Sequence, residues 1–327
     1  MGPKLRAAWR SRCRYVSGGN AGPRLIVVAG EALIDVVAGP GGELVGHPGG
    51  GPYNVARTIG RLEEPVAYLG RLSSDGFGMR LRSELEADGV GVETVVATDA
   101  PTTLALVELD GSGHAAYRFY AAGTSAPGLT LEAARAALPE RPEALYVGTL
   151  GLVFEPIAST LERIAGQVGD DTLVALDPNC RPAAIDDPAA YRERLGRILR
   201  RADVLKVSDD DLEWLLPGRA PADAARELLG HSGAVALVTL GAEGALVVSR
   251  DDVVAVEAPQ VEVVDTIGAG DAFMGAFLAD WCARGHGRAE LGDRDELAEA
   301  TRFACRVAAV TCTRAGADPP RRAELDG

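Results

Sequence analysis

Residues 263–273, Val-Val-Asp-Thr-Ile-Gly-Ala-Gly-Asp-Ala-Phe, set two glycines and a carboxylate where an apolar strand gives way to an apolar helix. The first-turn amides of a helix starting near Gly268 have no intrahelical acceptor and sit at the positive end of the helix dipole, which suits a phosphate. Glycine at 268 and 270, with only Ala269 between, lets a ligand touch the backbone. Asp271 follows in the first turn, where a base could take a proton from whatever receives the anion. The chemistry this suggests is phosphoryl transfer to a hydroxyl. A dinucleotide fingerprint is excluded, because Phe273 fills its third glycine position. Taken alone, the stretch reads equally as a glycine turn into a helix whose first carboxylate only complements the dipole.

A second glycine-rich stretch, His47-Pro48-Gly49-Gly50-Gly51-Pro52-Tyr53-Asn54, opens a helix that runs to residue 62. Adjacent glycines cost backbone entropy and make sense where a ligand must approach the main chain, and Asn54 adds a donor and an acceptor in the first turn. Asp35 lies near the end of a strand at 33–37. A carboxylate there can accept from two neighbouring sugar hydroxyls, or serve only as a solvated or capping group. Asp177-Pro178-Asn179-Cys180-Arg181 and Ser208-Asp209-Asp210-Asp211 each follow a strand, on the edge where α/β sheets build sites. The three aspartates can hold magnesium through water, and they equally make a solvated helix start. The turn Thr239-Leu240-Gly241-Ala242-Glu243-Gly244 is compatible with contact to nucleotide phosphates.

The elements that must position these residues follow from periodicity and turn signals. Short apolar runs predict strands at 25–29, 66–70, 145–147, 173–176, 204–207 and 236–239, with helices at 154–168, 190–201 and 209–215, hence a mainly parallel sheet. Strands at 245–249 and 253–256 form a hairpin, and a helix spans 295–313. Between 102 and 120 two strands flank Asp110-Gly111-Ser112-Gly113 with no helix between them. That is the pattern of an inserted hairpin which, with strand 33–37, builds a separate lid sheet. Tyr117, Arg118, Phe119 and Tyr120 are its ligand-facing or packing residues.

The chain has 327 residues, 47% of them hydrophobic, enough to bury the core of one large α/β domain. A net charge of −14 argues against an extended nucleic-acid or anionic-membrane surface and favours small ligands. The five cysteines, at 13, 180, 282, 305 and 312, lack zinc or disulfide spacing and read as core thiols of a cytoplasmic protein. Lys4 and Lys206 are the chain's two lysines, so neither a Walker loop nor a protein-kinase lysine strand can be written, and a nucleotide must be held by backbone, arginine and a cation. Residues 1–24 carry Lys4, Arg6, Arg10, Arg12 and Arg14 with no acid, and read as a disordered leader.

From residue 25 to 320 these residues resemble the ribokinase-like (PfkB-type) carbohydrate kinases, through the segments 49–57 and 265–273. Within that family they are most similar to bacterial fructokinases, through Gly30-Glu31-Ala32-Leu33-Ile34-Asp35, Arg118-Phe119-Tyr120, Gly123-Thr124, Asp177-Pro178-Asn179-Cys180-Arg181, Lys206-Val207-Ser208 and Thr313-Arg314-Ala315-Gly316-Ala317. The resemblance implies a three-layer α/β/α sandwich with lid segments at about 33–47 and 102–120, followed by a tail at 321–327. It implies ATP with Mg2+ as phosphate donor, Asp271 as base, and the amides of Gly268, Ala269 and Gly270 as the anion hole. It places Asp35, Gly49, Gly50, Asn54, Tyr120 and Arg181 on the sugar, and Lys206, Thr239, Gly241 and Gly244 along the nucleotide. Asp211 would reach magnesium through water, and K+ would lie near Asp265 and Ile267. Ser208-x-x-Asp211 replaces the family's frequent Asn-x-x-Glu, Ala121 stands where fructokinases commonly carry arginine, and Gly51 stands where a side chain is usual. Fructose is the expected substrate, in a homodimer joined through the lids. The alternatives are a kinase of an acidic sugar such as 2-keto-3-deoxygluconate, read from Arg118 and Arg181, and a sugar sensor without turnover.

Overall fold

Runs such as Ile26–Ala29 and Leu173–Asp177 are buried at every position, as strands covered on both faces must be. The computed structural model describes residues 24–38, 43–109, 115–230 and 234–325. The leader up to residue 23 and the 110–113 turn therefore lie outside the described residues. The chain passes through β1 (Ile26–Ala29), β2 (Leu33–Ala38) and β3 (Leu44–Gly49), then helix Gly51–Arg61, β4 (Val66–Leu69) and β5 (Arg71–Ser73). After helix Gly76–Ala87 come β6 (Val96–Thr98), β7 (Leu104–Leu109) and β8 (Ala115–Tyr120). Strand and helix then alternate through β9 (Ala144–Gly148), β10 (Leu173–Asp177), β11 (Val204–Ser208) and β12 (Val235–Thr239), before the hairpin β13 (Ala245–Val248) and β14 (Val253–Val256).

The central sheet has the order β14-β13-β12-β11-β10-β9-β1-β4, parallel from β4 to β12 and antiparallel in the last two pairs. Alternate residues feed two separate cores. Val28, Tyr146, Ala175 and Leu237 point to the side of helices Gly51–Arg61, Ala269–Ala283 and Arg294–Cys312, whereas Val27, Val147, Leu176 and Val238 point to the side of helices Ile157–Ala165 and Pro188–Leu199. That is the expected three-layer sandwich. Helix Ala269–Ala283 is apolar nearly all round and is buried from Asp271 to Ala279, so its first turn is held in place by core packing.

The lid is a four-stranded sheet, β3-β2-β7-β8, with β2 and β7 parallel to each other. Strand β3 is an element that the sequence reading left as loop. Its Pro48 cannot donate to a ladder, which is tolerated because β3 is an edge strand. Asp35 sits within β2 and not near its end, so it reaches the site from the lid. Register puts Leu33, Asp35, Ala105 and Phe119 on one face and Ile34, Val36, Leu104 and Leu106 on the other. Leu106 and Val107 therefore face opposite ways, and Ile34, Val36 and Leu104 already pack on the chain's own core.

One further expectation is corrected. Residues 257–264 are not a strand; the ladder stops at Val256, and the segment is tied down by the Val264 amide, which donates to Cys312 O at 2.8 Å. In the tail, Arg321 pairs with buried Asp88 at 2.9 Å and Arg314 with Glu324 at 2.6 Å. At the other end, Arg24 is already anchored, donating to Cys282 O at 3.2 Å.

Candidate active site

The carboxyl ends of β1, β9 and β10 bring Glu31, Thr149, Asn179 and Arg181 to one cleft, and the lid closes it from above with Leu33, Asp35, Tyr117 and Phe119. Helices Gly51–Arg61 and Ala269–Ala283 aim their first turns into the same space, where Asn54 Nδ2 donates to Asp271 Oδ2 at 2.9 Å. This bond joins the two glycine-rich stretches. It fixes one carboxylate oxygen of Asp271, while the residue lines the cleft at 8% exposure.

Gly268 caps the Asp271 helix with φ 76°, a left-handed conformation that an L side chain adopts only under strain. A β-carbon there would stand 2.5 Å from Ala317 Cβ. Ala317 is itself held from below, because Arg57 donates to its carbonyl at 3.4 Å and pairs with Asp88 at 2.8 Å. The anion hole differs by one amide from the expectation. The Ala269 amide donates to Thr266 O at 3.2 Å, whereas those of Gly268, Gly270 and Asp271 have no protein acceptor among the described residues. Gly51, a pocket position without a side chain, is explained by crowding, since a β-carbon there would lie 2.4 Å from Thr149 Cγ2 and 3.2 Å from Asp271 Oδ1.

Of the remaining sugar-side residues, Asp35, Gly50, Asn54 and Arg181 converge on the cleft. Gly49 does not line it; this residue ends β3 and leaves room for the Asp35 carboxylate, which a β-carbon would meet at 2.0 Å. Tyr120 does not line it either. Strand alternation turns Tyr117 and Phe119 inward and leaves Tyr120 53% exposed, and Arg118 belongs to that same outer face. On the nucleotide side Lys206 reaches the cleft, while Thr239, next to Ser208 in the β11–β12 register, and the turn bearing Gly241 and Gly244 continue along the same sheet edge beyond it.

Asp211 is a helix cap. Its carboxylate accepts from Ser208 Oγ at 2.7 Å, from the Ser208 amide at 3.1 Å and from the Cys180 amide at 2.7 Å. The Ser-x-x-Asp spacing is that of a capping box, formed by Asp211 of the three aspartates. Asp265 likewise accepts from the Ile267 amide at 2.9 Å and the Gly316 amide at 2.8 Å, which ties the loop at 316 to the anion-hole turn; Ile267 lines the cleft. Among the described residues no group of three or more His, Cys, Asp or Glu side chains converges as a metal cage.

Burial and the nearby Asp271 charge push the Asp35 carboxyl up to about 6 against the pull of Arg181. Asp271 is also raised by burial, against Asn54, Lys206 and Arg181. Both carboxylates are wanted ionised, to accept hydrogen bonds and a proton. Because a raised pKa means protonation earlier on acidification, kcat/KM is expected to be full at neutral pH and to fall as pH drops through about 6. A steady-state pH profile checks this, and a flat acid limb down to pH of about 4, near the usual carboxylate value, would contradict it.

Glu31 and Thr149 line the cleft although the sequence does not mark them as site residues. Glu31, 2% exposed and raised by burial to about 7, hydrogen-bonds Thr149 Oγ1 and accepts from the Gly151 amide at 2.8 Å. Thr149 and Asn179 hold left-handed backbone at φ 57° and 37°, strain that tends to collect at functional sites. The only signal for Thr149 is its place directly after β9.

A doubly covered parallel sheet, a glycine helix start with acceptor-free amides and a carboxylate in its first turn, and a β lid over both define a phosphotransferase acting on small molecules. Residues 23–323 match the pfkB family carbohydrate kinase description, and the chain belongs to that family. It is 36% identical over 265 residues to a fructokinase of Rhizobium leguminosarum bv. trifolii, covering 78% of this chain and 79% of that one. It is 34% identical over 319 residues to fructokinase-1 of Zea mays, covering 93% and 97%. Among solved structures it superposes on a fructokinase with bound ATP from Xylella fastidiosa with a TM-score of 0.85 at 29% identity, covering 92% and 96% of the two chains. An aminoimidazole riboside kinase from Salmonella enterica gives 0.81 at 27% identity, covering 93% and 99%. Among the described residues no helix is long and apolar enough to cross a membrane.

Proposed function

We propose that this carbohydrate kinase transfers the γ-phosphoryl group of MgATP to the terminal hydroxyl of fructose in the cytoplasm. The observation that carries the reading is Asp271, buried at the floor of the cleft, oriented by Asn54 and set beside acceptor-free amides at its helix start. With sugar bound between Asp35 and Asn54, the Asp271 carboxylate takes the proton of the hydroxyl while its oxygen bonds to phosphorus and the bond to the leaving ADP breaks. The amides of Gly268, Gly270 and Asp271 receive the charge on the transferring group, and Tyr117 and Phe119 exclude water. A fructokinase double mutant of Vibrio cholerae was solved with fructose, ADP and a potassium ion, which supports K+ as a cofactor; we place it beside the loop braced by Asp265.

ADP release measured with fructose, ribose, 2-keto-3-deoxygluconate and adenosine, in magnesium and potassium, tests the substrate. Fructose is expected to give the highest kcat/KM, and a large preference for the acid would replace it. Arg181 in the cleft supports that second reading, but only one of the two arginines it invoked lines the site.

We also propose a homodimer through the lids. Leu44 and Tyr120 are 67% and 53% exposed on the lid, more apolar surface than a lone sheet edge needs. Light scattering at micromolar concentration is expected to give twice the chain mass, and Leu44→Asp with Tyr120→Asp to halve it. A monomeric parent protein would remove the dimer.

A further inference from the structure

The second lysine of this chain lies inside the protein. Lys206 is 4% exposed, projects from β11 and lines the cleft next to the anion hole. Its Nζ stands 2.9 Å from where a β-carbon on Gly270 would be, so the ammonium sits against the backbone that presents the free amides. Behind it, at 3.1 Å, is Asp177, a carboxylate with no exposed surface. The contact is an ion pair without hydrogen-bond alignment, and Asp177 Oδ2 has no aligned donor. Burial opposes the charge on Lys206, but Asp177, Asp211 and Asp271 outweigh it and hold the ammonium protonated above its ordinary pKa. A buried ion pair seldom adds stability over an apolar pair of similar volume, so its presence at a helix start built for an anion calls for a chemical reason.

We propose that Lys206 is a catalytic residue whose ammonium, anchored by Asp177, neutralises the phosphoryl group during its passage from ATP to the sugar. This chain has no Walker lysine, and Lys206 supplies that cation from a strand. As the sugar oxygen bonds to phosphorus and the bridging oxygen departs with ADP, the equatorial oxygens lie between Lys206 and the Gly270 amide. The proton goes to Asp271, and Lys206 keeps its own throughout.

This rests on the kinase reading, which wild-type turnover in the same assay tests separately. Lys206→Met is expected to lower kcat by about 10²-fold or more, the usual loss for one preorganised donor, with the KM for fructose within a few-fold. It should also abolish tight binding of ADP with aluminium fluoride, a mimic of the transferring group, while ADP alone binds as before. A purely structural lysine would only balance Asp177, so Lys206→Met with Asp177→Asn decides. The double variant removes both charges, keeps the fold if the single variant loses it, and should remain as slow as the single. Recovery of near-wild-type kcat in the double variant, or near-normal kcat in Lys206→Met, overturns the proposal.

Discussion

Asp271→Asn is expected to lower kcat by about 10²–10⁴ while leaving the KM for sugar within a few-fold. The substitution keeps the shape of a buried side chain, and the new amide can turn its oxygen toward Asn54 Nδ2, which now donates at 2.9 Å. What disappears is the proton acceptor. The variant should also unfold no more readily than the parent. Burial raises the native pKa of Asp271, so its ionised form at neutral pH is disfavoured by folding, and a neutral residue is released from that cost. Steady-state kinetics with thermal unfolding would separate the two effects. Near-normal turnover would mean that another group takes the proton.

Gly268→Ala is expected to be nearly as damaging, for a different reason. The added methyl would meet Ala317 Cβ at 2.5 Å and must adopt a φ of 76°. Such strain costs about 1–3 kcal/mol, but displacement of the helix start matters more, because about 1 Å of misplacement at reacting groups can cost about 10²-fold. Gly218→Ala is the control. Gly218 also has φ 76°, with nothing within 4 Å of its added methyl, so it pays the backbone strain alone and kcat should not change. Equal kcat for the two variants would show that the close contact with Ala317 has no bearing on the anion hole.

Much of this molecule could be read before its folding was known, and the failures have physical causes. The parallel strands of the central sheet announce themselves because both faces are buried and most positions are apolar. The Asp271 helix does so because it is apolar all round. Strand β3 escapes the pattern because proline and adjacent glycines are turn signals, although an edge strand tolerates them. Period-two alternation divides 117–120 into two faces but does not say which faces the cleft, hence the choice of Tyr120 over Tyr117 and Phe119. The spacing of Asp211 from Ser208 fits a capping box as well as a water-mediated metal contact, and the hydrogen bonds show that the cap is formed. The Asp271 amide completes an anion hole expected to use Ala269, because a bond to Thr266 O at 3.2 Å is a property of the turn and not of residue type. Thr149 carries no chemistry of its own and is important only for where β9 ends.

The Asn54–Asp271 bond spans 217 positions of sequence, and therefore has a meaning in time as well as space. Neither half of the chain contains a fragment of the active centre that could work alone, and the bond cannot form until the opposite ends of the domain have docked. Refolding should thus recover helical signal well before turnover, since contacts this distant must wait for loop closure. Turnover in this enzyme therefore reports when the two ends of its domain have met.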